Sequence, residues 1–285
     1  MNWITYVVLS IVFFTAQGIF QRIVAQRSSH LKATPIAFVS IATAMSVVLF
    51  LFTTRLNSFS LPKSYLAYFF LLLATIFYGS YEKLRFKAAA AVDLGTISVI
   101  SSLSLLVAFL FSLMLYHESA NFMKLIGFAM VIVSIVFISY KKSHKTVDYK
   151  NYFYPVVSQI ILGLGWSLDK KGALYFGVNF YNILVWVLPL MFLLFPKFSI
   201  SEVVKAAKRD WSGMSLIALF NVIAYYLQLK ALSLAPASKV IPLVNLYVIT
   251  SVLAGMVFLR EDKDRLKKIL ASIIAFAGGF LILAF

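Results

Sequence analysis

Apolar stretches long enough to cross a lipid bilayer recur along almost the whole of this 285-residue chain, parted only by short charged connections. A helix rising 1.5 Å per residue needs about 20 apolar residues to span roughly 30 Å of hydrocarbon. Ten such stretches fit: Trp3 to Gln21, Pro35 to Thr53, Tyr65 to Glu82, Val92 to Tyr116, Phe122 to Tyr140, Tyr152 to Leu168, Phe180 to Phe195, Trp211 to Leu229, Val240 to Leu259 and Ile269 to Phe285. With 62% hydrophobic and 13% charged residues, the chain carries more apolar surface than a soluble core absorbs. In lipid that excess is natural, because helices satisfy their own backbone and apolar side chains face outward. The expected fold is an all-α integral membrane protein of ten transmembrane helices.

The same composition narrows function. The absence of cysteine excludes disulfides and thiolate chemistry, and the three histidines, at 30, 117 and 144, fall in or beside polar connections and assemble no metal site. No cofactor is called for, since the chain has no phosphate-cradling GxxxxGK[ST] loop and no redox motif. HExxH, GxSxG and paired-Asp motifs are also missing, so the chain does not read as an enzyme. A net charge of +16 raises nucleic acid as a partner, but the Lys and Arg residues sit in the gaps between apolar stretches, as membrane-flanking charges do. The first stretch begins after Met1-Asn2 without a basic leader or a small-residue cleavage site and reads as a retained helix.

The chain repeats itself. Laying Glu118 on Glu261 aligns the halves without a gap from Tyr81/Ala224 onward, with identities at Leu84/Leu227, Lys87/Lys230, Ala88/Ala231, Leu103/Leu246 and Ile126/Ile269. Polar positions discriminate better than apolar ones. Tyr78, Glu82 and Arg85 on the third span pair with Asn221, Tyr225 and Gln228 on the eighth, each triplet at i, i+4, i+7 on one helical face. Ser102 on the fourth span pairs with Asn245 on the ninth. Five spans per half make the copies enter the membrane in opposite senses, giving two inverted five-helix repeats around a midplane cavity. The division expected is a first repeat over 1–140, a basic linker over 141–151 (KKSHKTVDYKN) and a second repeat over 152–285. Most of the 26 Lys and Arg fall in the odd-numbered connections, which by the positive-inside rule makes those connections cytoplasmic and both termini external.

A charged side chain at mid-membrane costs about 2.5–3.5 kcal/mol, so each needs a partner or a use. Gln17 and Gln21 share a face of the first span, and Gln159, Gly163, Trp166 and Lys170 follow helical spacing on the sixth. These faces either line a cavity or bond across packed helices, at about 0.6 kcal/mol per bond, with Gly163 and Gly165 permitting close approach. Glu82, Lys83 and Arg85 close the third span, and Asp169, Lys170 and Lys171 the sixth. Both clusters read either as solute- or proton-binding groups or as interfacial charges snorkelling to water. Glu82 and Asp169 stand out, because a short carboxylate needs a nearby cation if buried. Tyr78, Tyr81, Trp166, Tyr181, Tyr225, Tyr226 and Tyr247 suit stacking on a solute or an interfacial belt, and Tyr225 shares its face with Asn221 and Gln228. Pro242, ahead of Asn245 and Tyr247, frees a carbonyl and suits a hinge, or is an ordinary first-turn proline. Glu118 and Glu261, beside His117 and Arg260, read as structural helix-end residues capping the helix that follows each.

The layout resembles the EamA-type branch of the drug/metabolite transporter superfamily. The residues behind the resemblance are LKALSLAPASKVIPLVNLYVITSVLAGMVFLRED from Leu229 to Asp262, with Pro242 and Glu261 at a family-like separation, then Gly278-Gly279 in the last span. The first-half counterpart, Phe86 to Glu118 followed by Gly127, has Val99 where the second half has Pro242. The resemblance covers nearly the whole chain and rests on the order and spacing of apolar motifs. It implies a secondary carrier, working without ATP by rocking helices around a cavity lined by spans one, three, four, six, eight and nine. Small organic solutes such as amino acids or related metabolites are then the cargo, with membrane lipid as the surroundings. An exporter in a prokaryotic cell membrane is expected, with cytoplasmic termini on the family pattern and external termini on the charge count. Proton coupling would run through Glu82 or Asp169. A non-transporting accessory or lipid-handling protein is the alternative, which the absence of a central polar cavity between the halves would favour.

Overall fold

The computed structural model describes residues 2–28, 33–53, 61–116, 121–139, 150–195, 198–235, 240, 243–261 and 263–285. Among them eleven helices follow one another with no strand: α1 Trp3–Ser28, α2 Thr34–Thr53, α3 Tyr65–Ala91, α4 Leu94–Tyr116, α5 Phe122–Ser139, α6 Lys150–Phe176, α7 Val178–Leu194, α8 Ile200–Arg209, α9 Trp211–Leu234, α10 Tyr247–Phe258 and α11 Arg265–Ala284. Trp3–Ser28, Thr34–Thr53 and the Trp211–Ala231 part of α9 are long and apolar enough to cross a membrane. Large apolar side chains such as Phe52, Leu72, Val136 and Val257 point outward from the bundle, as on a surface solvated by lipid.

Several helices outrun the apolar stretches from which they were expected. α1 continues past Gln21 to Ser28, α3 past Glu82 to Ala91, α6 past Leu168 to Phe176 and α9 past Leu229 to Leu234. The charges taken for helix ends at Glu82, Arg85 and Asp169 are interior residues, tolerated because other helices supply their partners. α6 begins at Lys150, so the last two residues of the expected linker are already its first turn. Linker positions 141–149, Glu118 and Pro242 lie outside the described residues. One helix was not expected. α8 occupies the charged break between the seventh and eighth stretches, with the Ser199 side chain accepting from Glu202 N at 3.4 Å.

Packing follows the repeat. α3 lies on α6 as α1 lies on α9, α4 meets α6 as α10 meets α1, and α3 meets α7 as α9 meets α2. Exchanging α1 to α5 for α6, α7, α9, α10 and α11 therefore carries these pairs into one another. α5 pairs with α11 at the point where Gly127 and Gly278 face each other, each with the other's carbonyl where a Cβ would stand. Small residues allow such backbone approach, which drives association where lipid offers no hydrophobic gain.

Candidate functional site

Between the two groups of helices lies a cavity of about 1040 Å³, walled by α1, α3, α4, α6, α7, α9 and α10 with Lys124 of α5 and the end of α11. At one end its wall is buried, with Ala89 and Leu94 only 3% exposed; at the other it reaches Leu174 and Phe285, 78% and 58% exposed. The exposed end is where α6 and α11 finish, and the buried end is where α3 finishes and α4 starts.

Two polar clusters occupy the wall. In the first, Arg85 is buried in α3, donating from Nη1 to Glu82 Oε1 at 2.8 Å and from Nη2 to Gln21 Oε1 at 2.7 Å. Oriented with its carbonyl toward the guanidinium, the Asn221 amide accepts from Nη1 at 2.9 Å and Nη2 at 3.0 Å. Gln17 donates to Gln21, and the guanidinium stacks over the Phe38 ring at 4.6 Å. A planar five-donor cation suits such fixed acceptors on three helices. The Glu82–Arg85 pair is one turn apart on α3 and internally neutral.

The second cluster centres on Asp169. Its carboxylate accepts from Tyr78 Oη at 2.7 and 2.8 Å, from Tyr181 Oη at 2.7 Å and from Tyr225 Oη at 2.9 Å. These hydroxyls come from α3, α7 and α9, so four helices meet at one carboxylate. Gly172 gives the room for the Tyr181 ring, and Gly165 lies against that of Tyr78. No cation is within ion-pair distance of Asp169 among the described residues.

Of the residues singled out in the sequence, Gln17, Gln21, Tyr78, Glu82, Gln159, Trp166, Asp169, Asn221, Tyr225, Gln228 and Asn245 line the cavity. Ser102 does not. It is fully buried in α4 with its hydroxyl unpartnered among the described residues, while Ser98 and Ser101 face the cavity instead. The two paired positions differ locally, since α4 runs unbroken through Ser102 whereas Asn245 sits in a turn just before α10. Ser101 shares a 2.6 Å hydrogen bond with the Tyr247 hydroxyl, a contact the spacing did not reveal. Around the wall Glu82 Oε2, Arg85 Nε, Gln159 Oε1, Trp186 Nε1 and Asn245 Nδ2 are buried without partners among the described residues. Buried polar atoms are nearly always satisfied, so a group of exceptions around one void marks a place where water or a solute completes them.

A third cluster crosses the buried end. Glu261, in the connection between α10 and α11, accepts from Leu94 N at 2.7 Å and from Arg22 Nε at 3.3 Å. It caps α4 of the other group, not α11 as its position suggested, because the connection folds back over the N-terminus of α4, where a carboxylate meets free N–H groups. Arg22 Nη1 also donates to the last carbonyls of α3, at Ala89 (2.5 Å) and Ala90 (2.9 Å). Lys268 closes the circuit, donating to Glu261 O at 2.9 Å and pairing with Asp93 at 3.2 Å. Burial, with Asp93 beside it, raises the Glu261 carboxyl above its ordinary range against the pull of Leu94 N–H, Arg22 and Lys268. Sequence reasoning missed Asp93 and Lys268 because both read as ordinary connection charges.

Compared with known proteins, the chain matches the model of the EamA-like transporter family twice, over residues 1–140 and 150–284. No curated protein matches it.

Proposed function

The chain belongs to the EamA-like transporter family, membrane transporters of small solutes rather than enzymes, and on that premise we propose that it is a secondary carrier working by alternating access around the cavity between its halves. In this reading the chain spans the bilayer ten times as two inverted five-helix repeats, over 1–140 and 152–285. The helix pairs that exchange under the repeat support it. The conformation described is open where α6 and α11 end and closed where Arg22, Glu261, Asp93 and Lys268 tie the halves together. Rupture of those ties, with closure at the opposite end, is the step that passes a solute.

The observation that carries this reading is the void of about 1040 Å³ with its unpartnered buried polar atoms. Volumes of this order hold small organic molecules. An accessory or lipid-handling role would be favoured by halves packed without a polar cavity, so the void supports the carrier reading over it. The cargo is a small organic solute such as an amino acid or related metabolite, moved outward across a prokaryotic cell membrane. Proton coupling falls to Asp169, since Glu82 is already held by Arg85.

The test is counterflow in proteoliposomes of the purified chain, preloaded in turn with amino acids, nucleosides and organic cations. Uptake of a labelled solute driven by its unlabelled counterpart is expected for at least one class. Its absence for every class would remove the carrier reading.

A further inference from the structure

The chemistry around Asp169 carries the reading of a carrier one step further, to the class of group its cargo presents. The carboxylate takes hydroxyl donors from Tyr78, Tyr181 and Tyr225. A carboxylate has about four lone-pair positions, so at least one remains open, and each phenol oxygen that has given its proton keeps acceptor capacity. What this cluster offers is therefore a patch of acceptors with its hydrogens turned inward. The patch is also charged. Glu82 and Arg85 cancel one another, and Arg22 is tied to Glu261, which leaves Asp169 as the uncompensated charge of these two clusters and the closed end. One turn along α3 from Tyr78, the buried Oε2 of Glu82 adds a second acceptor without a partner. Trp166, one turn before Asp169 on α6, lines the same cavity and adds an aromatic ring to its wall.

The patch at Asp169, acceptors around a carboxylate with no cation at ion-pair distance among the described residues and an indole in the same wall, is complementary to a cationic donor. We propose that the carrier binds its solute through an ammonium group seated at Asp169, with N–H donors meeting the carboxylate and phenol oxygens and the aromatic rings facing its charge. The Glu82 oxygen extends the site for a solute with a second donor. Carboxylates and other anions are rejected at the same place, because they would bring acceptors and negative charge to a surface that already has both.

This inference rests on the carrier reading but fails or stands separately from it. Three probes of one shape distinguish it: benzylammonium, benzyl alcohol and benzoate, measured by equilibrium dialysis against the purified chain at neutral pH. Benzylammonium is expected to bind at least about tenfold more tightly than the other two. Asp169→Asn, checked for folding by size-exclusion chromatography and thermal melting, is expected to erase that preference while leaving benzyl alcohol binding unchanged. Equal binding of the three probes by the unaltered chain, or a preference for benzoate, overturns the proposal, and that ranking decides the matter even if the variant fails to fold. If the ammonium preference is absent while counterflow of another solute proceeds, the site assignment falls and the carrier stands. If benzylammonium binds as expected but no solute exchanges in proteoliposomes, the site stands and the carrier falls.

Discussion

At the scale of single residues, Arg85 is the side chain on which most of the cavity wall depends. It joins α1, α3 and α9 through Gln21, Glu82 and Asn221, and its guanidinium is only 2% exposed. Replacing it with Met leaves the Glu82 carboxylate buried without a cation, a change that costs about 3–5 kcal/mol where buried pairs have been broken. Arg85→Met is therefore expected to lower the melting temperature in detergent sharply. Arg85→Lys keeps the charge but not the planar fork, so it should recover only part of the loss. Replacing Glu82 and Arg85 together with Gln and Met removes both charges and should be milder than Arg85→Met alone, which a double-mutant cycle measures directly. Tyr181 offers a separate check. Tyr181→Phe deletes one donor to Asp169, a hydrogen bond to a charged group worth about 1.5–3 kcal/mol, while the ring still fills the space beside Gly172.

At the scale of helices, the α5–α11 pair is held by backbone approach at two glycines. A Cβ on Gly127 would stand 2.5 Å from the Gly278 carbonyl oxygen, a backbone atom that yields only if the helices part. Gly127→Ala is expected to cost about 1–3 kcal/mol, typical of overpacking, in a thermal melt. Gly18→Ala is the control, because its Cβ meets the Leu94 side chain at 3.2 Å and that side chain can turn away. The helices themselves were legible in the sequence wherever apolar length set them. Their ends were not, and the reason is physical. A charge in an apolar run reads as a boundary, yet Glu82, Arg85 and Asp169 sit inside helices because Gln21, Asn221, Tyr181 and Tyr225 approach them from elsewhere. Periodicity along one helix carries no record of such partners. It did place Tyr78, Glu82, Asn221, Tyr225 and Gln228 on the cavity, since those positions share faces. α8 was legible in principle: Ser199 and Glu202 form a capping-box pattern ahead of Val203 and Val204. The charge count around it concealed that signal.

At the scale of the molecule, sidedness and gating are one question, because the closed end of the cavity holds Arg22 and Lys268, two of the basic residues from which the charge count assigns a side. The chain has no cysteine, so single-cysteine variants report accessibility without background. Lys63 and Lys205 are exposed in connections of opposite parity. If the charge bias governs insertion, Lys63→Cys reacts with an impermeant maleimide on intact cells, and Lys205→Cys reacts only after permeabilisation. The cytoplasmic termini of the family pattern require the reverse. Either way, in the alternating access proposed for this chain, opening of the closed end has to separate Glu261 from Leu94 and Arg22, and the proton ledger of that step has a definite sign. In the closed end, burial and Asp93 hold the Glu261 carboxyl above its ordinary value, outweighing Leu94 N–H, Arg22 and Lys268. Once opened to water the same carboxyl returns toward the ordinary value near 4.3. The closed state thus binds the proton more tightly. Between the two values acidification favours closure through this group, and raising the pH favours opening, although protonation also removes the Arg22 ion pair. Labelling of Ser98→Cys from the side of the closed end should therefore rise as pH increases through that window. Adding Glu261→Gln fixes the group in a neutral form and should flatten the profile. A profile that instead rises on acidification would mean that the Arg22 tie, not burial, dominates at Glu261.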